Sequence, residues 1–192
     1  VDLSGKDLTG TILTEADLTQ ANLTGVDLSG KDFGLSTMSG TEKIGTIFTG
    51  ANLSDTNLTG VDLSGKDLTG TILPGVNLSN TNLTEMILTG ADLSNANLAG
   101  KDLSGKDLTG TIFTGANLSN TTLLDVNLTD ANLQNADLKR ALLVDANLSN
   151  VILTGADLSQ AILTGTILTG ANLENAILTN TILNCIGHSI CI

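Results

Sequence analysis

The sequence predicts an all-β solenoid, a quadrilateral parallel β-helix of about nine to ten coils of twenty residues, and three observations carry that reading. Cut into fives from Val1, the chain reads VDLSG, KDLTG, TILTE, ADLTQ, ANLTG and keeps this frame to its C-terminal tail, with Leu at the third place of nearly every block. Nineteen of the 21 glycines stand at the fifth place, where Asn is the usual alternative. The stretch LSGKDLTGTI, beginning at Leu3, returns unchanged at Leu63 and Leu103, sixty and then forty residues on.

Each place in the block has a physical role. A period of five excludes an amphipathic helix, whose apolar positions recur at three and four, and an alternating strand, whose period is two. A short extended segment fits, with its first and third side chains inward and its second outward, followed by a turn through the fourth and fifth places. Gly and Asn at the fifth place tolerate the positive φ of such a turn. Four corners close a square, so repeats at multiples of twenty are expected to stack, and Leu8, Leu68 and Leu108 to share one side. Phe33, Phe48 and Phe113, all the phenylalanines present, also take third places.

Composition narrows the function. The chain of 192 residues is 41% hydrophobic, has no Trp or Tyr, and carries a net charge of −12. A leucine in each block supplies the core that disordered acidic segments lack. The acidic balance argues against direct nucleic-acid binding and against anionic membranes, both of which want basic patches, and it suits a basic partner. No apolar run reaches the length of a membrane span, so no membrane insertion is expected. The chain opens on Val1 and is read as a trimmed domain or mature form.

Blocks such as ADLTQ, ANLTG, ADLSN and ANLSN fit the pattern A(D/N)LXX, and over residues 1 to about 185 the chain resembles the pentapeptide-repeat proteins. The resemblance implies a right-handed quadrilateral β-helix, in line with the general handedness of parallel crossovers. At one strand spacing per coil the rod is on the order of 45 Å long. The expected organisation is a repeat domain over 1–185, distorted over 34–45, with a tail over 186–192 capping the last coil. Many members of the family, the numerous cyanobacterial ones among them, have no established biochemical role; others act on type II topoisomerases, some through loops projecting from the coil.

The pattern is broken in three ways. Five blocks begin with Lys, at Lys6, Lys31, Lys66, Lys101 and Lys106; an ammonium in a leucine interior is costly, so each stem is expected against the core with its head escaping at a corner beside an Asp. Lys6, Lys66 and Lys106 are expected in one column. In GLSTMSGTEKIG, residues 34–45, the motif dissolves while the length stays a multiple of five; a distorted coil or small bulge is expected, with Met38 and Ile44 replacing leucines, and Met38, Glu42 and Lys43 form a candidate contact loop. Toward the C-terminus the outward second places become Leu142, Ile152, Ile162, Ile167, Ile177 and Ile182, a candidate interface, for which a homodimer through the C-terminal coils is one expectation.

Reactive chemistry is confined to NCIGHSICI, where Cys185, His188 and Cys191 are spaced C-x2-H-x2-C. Three such donors suit zinc, but a fourth ligand is not evident. A disulfide between Cys185 and Cys191 is the first expectation, with free thiols next, and no metal or cofactor is assigned. A bridge would place the chain in an oxidising compartment, periplasmic or thylakoid lumenal; without it the cytoplasm is expected. One histidine and no nucleophile beside a base leave no catalytic constellation. The leading reading is a non-enzymatic module presenting a rigid acidic rod to an unknown protein partner. The alternative is a DNA-mimic modulator of a type II topoisomerase, acting by gyrase inhibition or quinolone protection. Sorted by wall in an unbroken frame of twenty, the charges sum to −5, −2, −4 and −1, thin beside DNA's charge every ~1.7 Å.

Overall fold

The computed structural model describes residues 1–14, 16–29, 31, 33, 46–58, 61–78 and 80–191, and the backbone alone of 37–39 and 42–44. One block makes one wall segment and one corner. Lys6 N–H donates to Leu3 O at 3.1 Å, closing a four-residue turn whose third residue, Gly5, has φ 60°. Such a turn needs positive φ at that place, which Gly adopts freely and Asn or Asp with modest strain. Asn95, Asn120, Asp125 and Asp145 make the same corner with φ between 53° and 58°.

The second and fourth places are chemically coupled. Asp2 Oδ1 accepts both the N–H and the hydroxyl of Ser4, at 3.0 and 2.7 Å, and Asn22 does the same for Thr24, as does Asp102 for Ser104. Asp/Asn followed two residues later by Ser/Thr is thus a self-closing turn. The Ser or Thr hydroxyl, and then the backbone N–H, holds the carboxyls of Asp2, Asp7, Asp17 and Asp102 below the ordinary carboxylate range.

Successive coils stack through parallel bridges in four columns of second-place residues. The first wall runs Asp2, Asn22, Asn52, Ile72, Asp92, and the second includes Asp27–Asn57 and Asn77–Asn97–Asn117. The third includes Asp62–Asn82 and Asp102–Thr122–Leu142–Ile162–Ile182; the fourth includes Asp17–Ile47, Asp67–Ile87 and Asp107–Asn127–Asn147–Ile167. Third-place leucines fill the interior with Ala, Val and Thr from the first places, nearly all fully buried between Leu88 and Leu168. Interior threonines are satisfied: Thr111 and Thr166 hydroxyls donate to Leu88 O and Leu143 O in the coil below, at 3.0 and 2.7 Å.

The register corrects one expectation. Below residue 30 and above residue 50 neighbouring coils are twenty residues apart, but Asp17 pairs with Ile47, Asn22 with Asn52 and Asp27 with Asn57, thirty apart. One coil therefore carries ten extra residues, and it is an insertion where a distorted coil or small bulge was expected. The chain leaves the coil after Phe33 and re-enters at Thr46; between them β1 (Thr37–Ser39) and β2 (Glu42–Ile44) form an antiparallel hairpin. Ten residues are half a coil, so downstream residues stand on the wall opposite to the one that an unbroken count of twenty assigns them. Leu8 and Lys6 belong to the second wall, whereas Leu68, Leu108, Lys66 and Lys106 belong to the fourth. The expected common column, and the charge sums taken in an unbroken frame, do not hold.

Candidate functional site

Inside the third and fourth walls the lysines do something other than escape. Lys66 is 1% exposed, and its ammonium donates to Phe33 O at 3.1 Å. The same carbonyl accepts the Thr46 N–H and hydroxyl, so three donors converge where the hairpin leaves the coil, beside the edge-to-face pair Phe33–Phe48 with centroids 4.9 Å apart. Lys31 donates to Leu8 O and Thr11 O, Lys101 to Thr81 O at 2.7 Å and Lys106 to Met86 O at 3.3 Å. The heads seek backbone carbonyls of the coil below because these are the acceptors within reach of an inward stem; carboxylates stand outside the wall.

This capture has a cost to the ladder. In intact columns a first-place carbonyl accepts the N–H twenty-one residues on, as Lys101 O does from Thr122 and Thr121 O from Leu142. Thr81 O and Met86 O are bonded by ammonium groups instead, and among the described residues the bridges Asn82–Asp102 and Ile87–Asp107 are absent. The coils part there, leaving a depression of about 400 Å³ lined by residues 81–85, Lys101, Asp102, Ser104 and Lys106. Burial pushes the Lys106 ammonium to a lower pKa, against the pull of Asp102 and Glu85. A smaller depression of about 220 Å³ joins Lys6 and Lys31 to Asp7 and Asp27. Among the described residues no three His, Cys, Asp or Glu side chains converge as a metal site.

The candidate interface residues are distributed over every wall. Ile152 stands on the first wall, Ile177 on the second and Ile167 on the fourth, while Leu142, Ile162 and Ile182 succeed one another on the third. Their spread follows from the register, which a list of second places does not reveal. Of the candidate contact loop, Met38, Glu42 and Lys43 lie in the hairpin, Met38 facing Lys43 across its backbone register; their side chains, and that of Ile44, lie outside the described residues.

At the rod's end Cys185 is 9% exposed and its sulfur is bonded to that of Cys191, with 4.9 Å between Cα atoms. Ile186 still belongs to the ladder, donating to Thr166 O and accepting from Leu168 N–H, both at 2.8 Å. Ile190 and Cys191 then pack against the core. His188 Nδ1 accepts the Ile190 N–H at 3.3 Å, so the ring serves the turn.

The chain matches the profile of pentapeptide repeats in eight copies, over residues 1–30, 32–65, 67–100 and, overlapping, 87–180. Among solved structures it is similar to HetL, a pentapeptide repeat protein involved in heterocyst differentiation regulation in the cyanobacterium Nostoc sp. strain PCC 7120: 31% identical over 93% of this chain and 86% of that one, TM-score 0.56. A pentapeptide repeat protein of the Arabidopsis thaliana thylakoid lumen is 36% identical over 50% of this chain and 68% of its own, TM-score 0.50. QnrB1, a plasmid-mediated fluoroquinolone resistance protein, is 17% identical over 96% of this chain and 79% of its own, TM-score 0.60, a likeness of fold alone. A search of curated proteins finds no match.

Proposed function

Because the chain belongs to the pentapeptide-repeat family, a family of right-handed β-helical solenoids, we propose that it is a non-enzymatic interaction module presenting a rigid acidic rod to a protein partner. The observation that carries this reading is the ladder itself. From Asp92 to Ile186 every second-place residue is bridged to its neighbour above or below, so outward side chains are held at one strand spacing, ~4.8 Å, with no loop to relax. Such a surface is preorganised, and little ordering cost is left to oppose binding. The test is site-specific photocrosslinking in the native host, with one photoreactive residue per wall at Asn132, Asn117, Ile162 and Asn147. A discrete protein adduct from at least one wall is expected; no adduct from any wall would sink the reading.

A second reading, modulation of a type II topoisomerase by DNA mimicry, draws on the similarity of fold to QnrB1 and on the net charge of −12. It ranks lower because among the described residues no column is continuously acidic: Asn82 stands between Asp62 and Asp102, and Ile87 between Asp67 and Asp107. A gyrase supercoiling assay decides it, since a mimic inhibits or protects at micromolar protein and a plain scaffold does neither. The bridge between Cys185 and Cys191 favours an oxidising compartment, periplasmic or lumenal. No helix among the described residues is long and apolar enough to cross a membrane.

A further inference from the structure

The third wall differs from the other three. Its outward column changes character along the rod, from Asp62, Asn82 and Asp102 through Thr122 to Leu142, Ile162 and Ile182. Among the described residues no other column sets three aliphatic residues in consecutive coils: the first wall alternates Ile72, Asp92, Ile112, Asn132, Ile152, and the second stays Asn or Asp as far as Asp157. The corner ending the third wall carries Glu85, Asp125 and Asp145, all exposed and all in the left-handed conformation. The Asp145 carboxylate lies over Gly165, its Oδ1 2.0 Å from where a Cβ would stand, so glycine there leaves it room.

We propose that this wall is a docking surface for a basic amphipathic helix of a partner protein, lying along the rod axis with its apolar stripe on Leu142, Ile162 and Ile182 and its cationic flank on Asp125 and Asp145. The occupant follows from three features. The row spans two coil spacings, roughly 10 Å, about the reach of three successive anchors on one helix face. The backbone of this wall is already paired, Thr122 to Leu142, Leu142 to Ile162 and Ile162 to Ile182, so no edge is free for an added strand and recognition must go through side chains. The acid beside the apolar row selects for lysine and arginine on the partner and against a second copy of this acidic chain.

The proposal rests on the interaction-module reading and names the wall and the partner class. The test uses the whole chain and a synthetic amphipathic Leu/Lys helix as probe, with the same helix carrying Glu for Lys as control. Asp already occupies the second place in many blocks, so Ile162→Asp keeps the fold; Asn is at home at the corner, so Asp125→Asn with Asp145→Asn does too. The Leu/Lys helix is expected to bind, with amide shifts confined to the third wall, and each variant to weaken it about tenfold or more; the Glu helix is expected not to bind. Shifts on another wall, indifference to Ile162→Asp, or no binding would overturn it. So would a dimer of the free chain that Ile162→Asp dissociates, which would give the row to a second copy. Crosslinks from Asn117, Asn132 or Asn147 but none from Ile162 would overturn this wall and leave the module reading standing.

Discussion

Two stretches of the rod are built from the same five-residue block and differ in one place of it. Between Thr111 and Thr181 every first-place residue is Ala, Val or Thr, and all four ladders run without a gap. Between residues 81–90 and 101–110 the first places hold Lys101 and Lys106, and two adjacent ladders open. The lesson is that the first place sets the spacing of the coils. A small side chain lets a carbonyl meet the N–H above it; a long stem with a donor at its tip takes the carbonyl first and wedges the coils apart.

The largest test of that contrast is one substitution made in both stretches. Leu148 is fully buried in the continuous part and Leu83 lines the gap. Leu148→Ala is expected to cost about 3 kcal/mol in urea denaturation, and Leu83→Ala about 1 kcal/mol less, since an open wall collapses more easily onto a smaller side chain. Equal losses would show that the gap is no weaker than the rest. Next in size is Gly165→Ala: at φ 72° its methyl meets Asp145 Oδ1, a loss of about 1–2 kcal/mol. Adding Asp145→Gly should recover the part due to the clash and leave the part due to the backbone.

Closing the gap should stabilise the rod modestly. Lys101→Thr with Lys106→Ala restores first places used elsewhere, and a gain of about 1 kcal/mol is expected, with slower hydrogen exchange at the Asp102 and Asp107 amides. The pH dependence gives the same answer without mutation. Burial lowers the folded pKa of Lys106, so its charge opposes folding below that value, and the deficit disappears as pH rises toward the unfolded value of about 10.4. The smallest effect lies at the acid end. The carboxyls of Asp2, Asp7, Asp17 and Asp102 are held low by their turns. Their contribution is present above the ordinary Asp value of about 3.9 and fades as pH falls through the folded values. Replacing Ser104 by Ala should flatten that acid limb, in a circular dichroism titration, at one turn only.

How much was legible follows from which residues speak locally. Leucine at every third place, Gly or Asn at every fifth, and the square of four blocks are local facts, and the walls follow from them. The coupling of Asp2 to Ser4 was also within reach, because the two residue types recur together at a fixed offset, yet the second place alone was interpreted, as an outward direction. The register was hidden. An insertion of ten residues leaves the frame of five untouched, so nothing in Leu63 or Lys66 reveals that these residues stand opposite Leu3 and Lys6. Lysine placement failed for a different reason. A stem entering the core was anticipated, but the nearest acceptor for its head is a backbone carbonyl, and sequence shows side chains only.

The hairpin between Phe33 and Thr46 is a detour and not a stretch of wall. Thr46 N–H donates to Phe33 O, the bond that closes an ordinary corner, so the tube is already complete beneath the excursion. Removing the ten residues would leave a folded solenoid with every downstream face where it is now: Leu142, Ile162 and Ile182 would still stand opposite the wall of Asp2 and Asn22. In such a protein a corner can gain or lose a projecting arm without changing what any distant face presents.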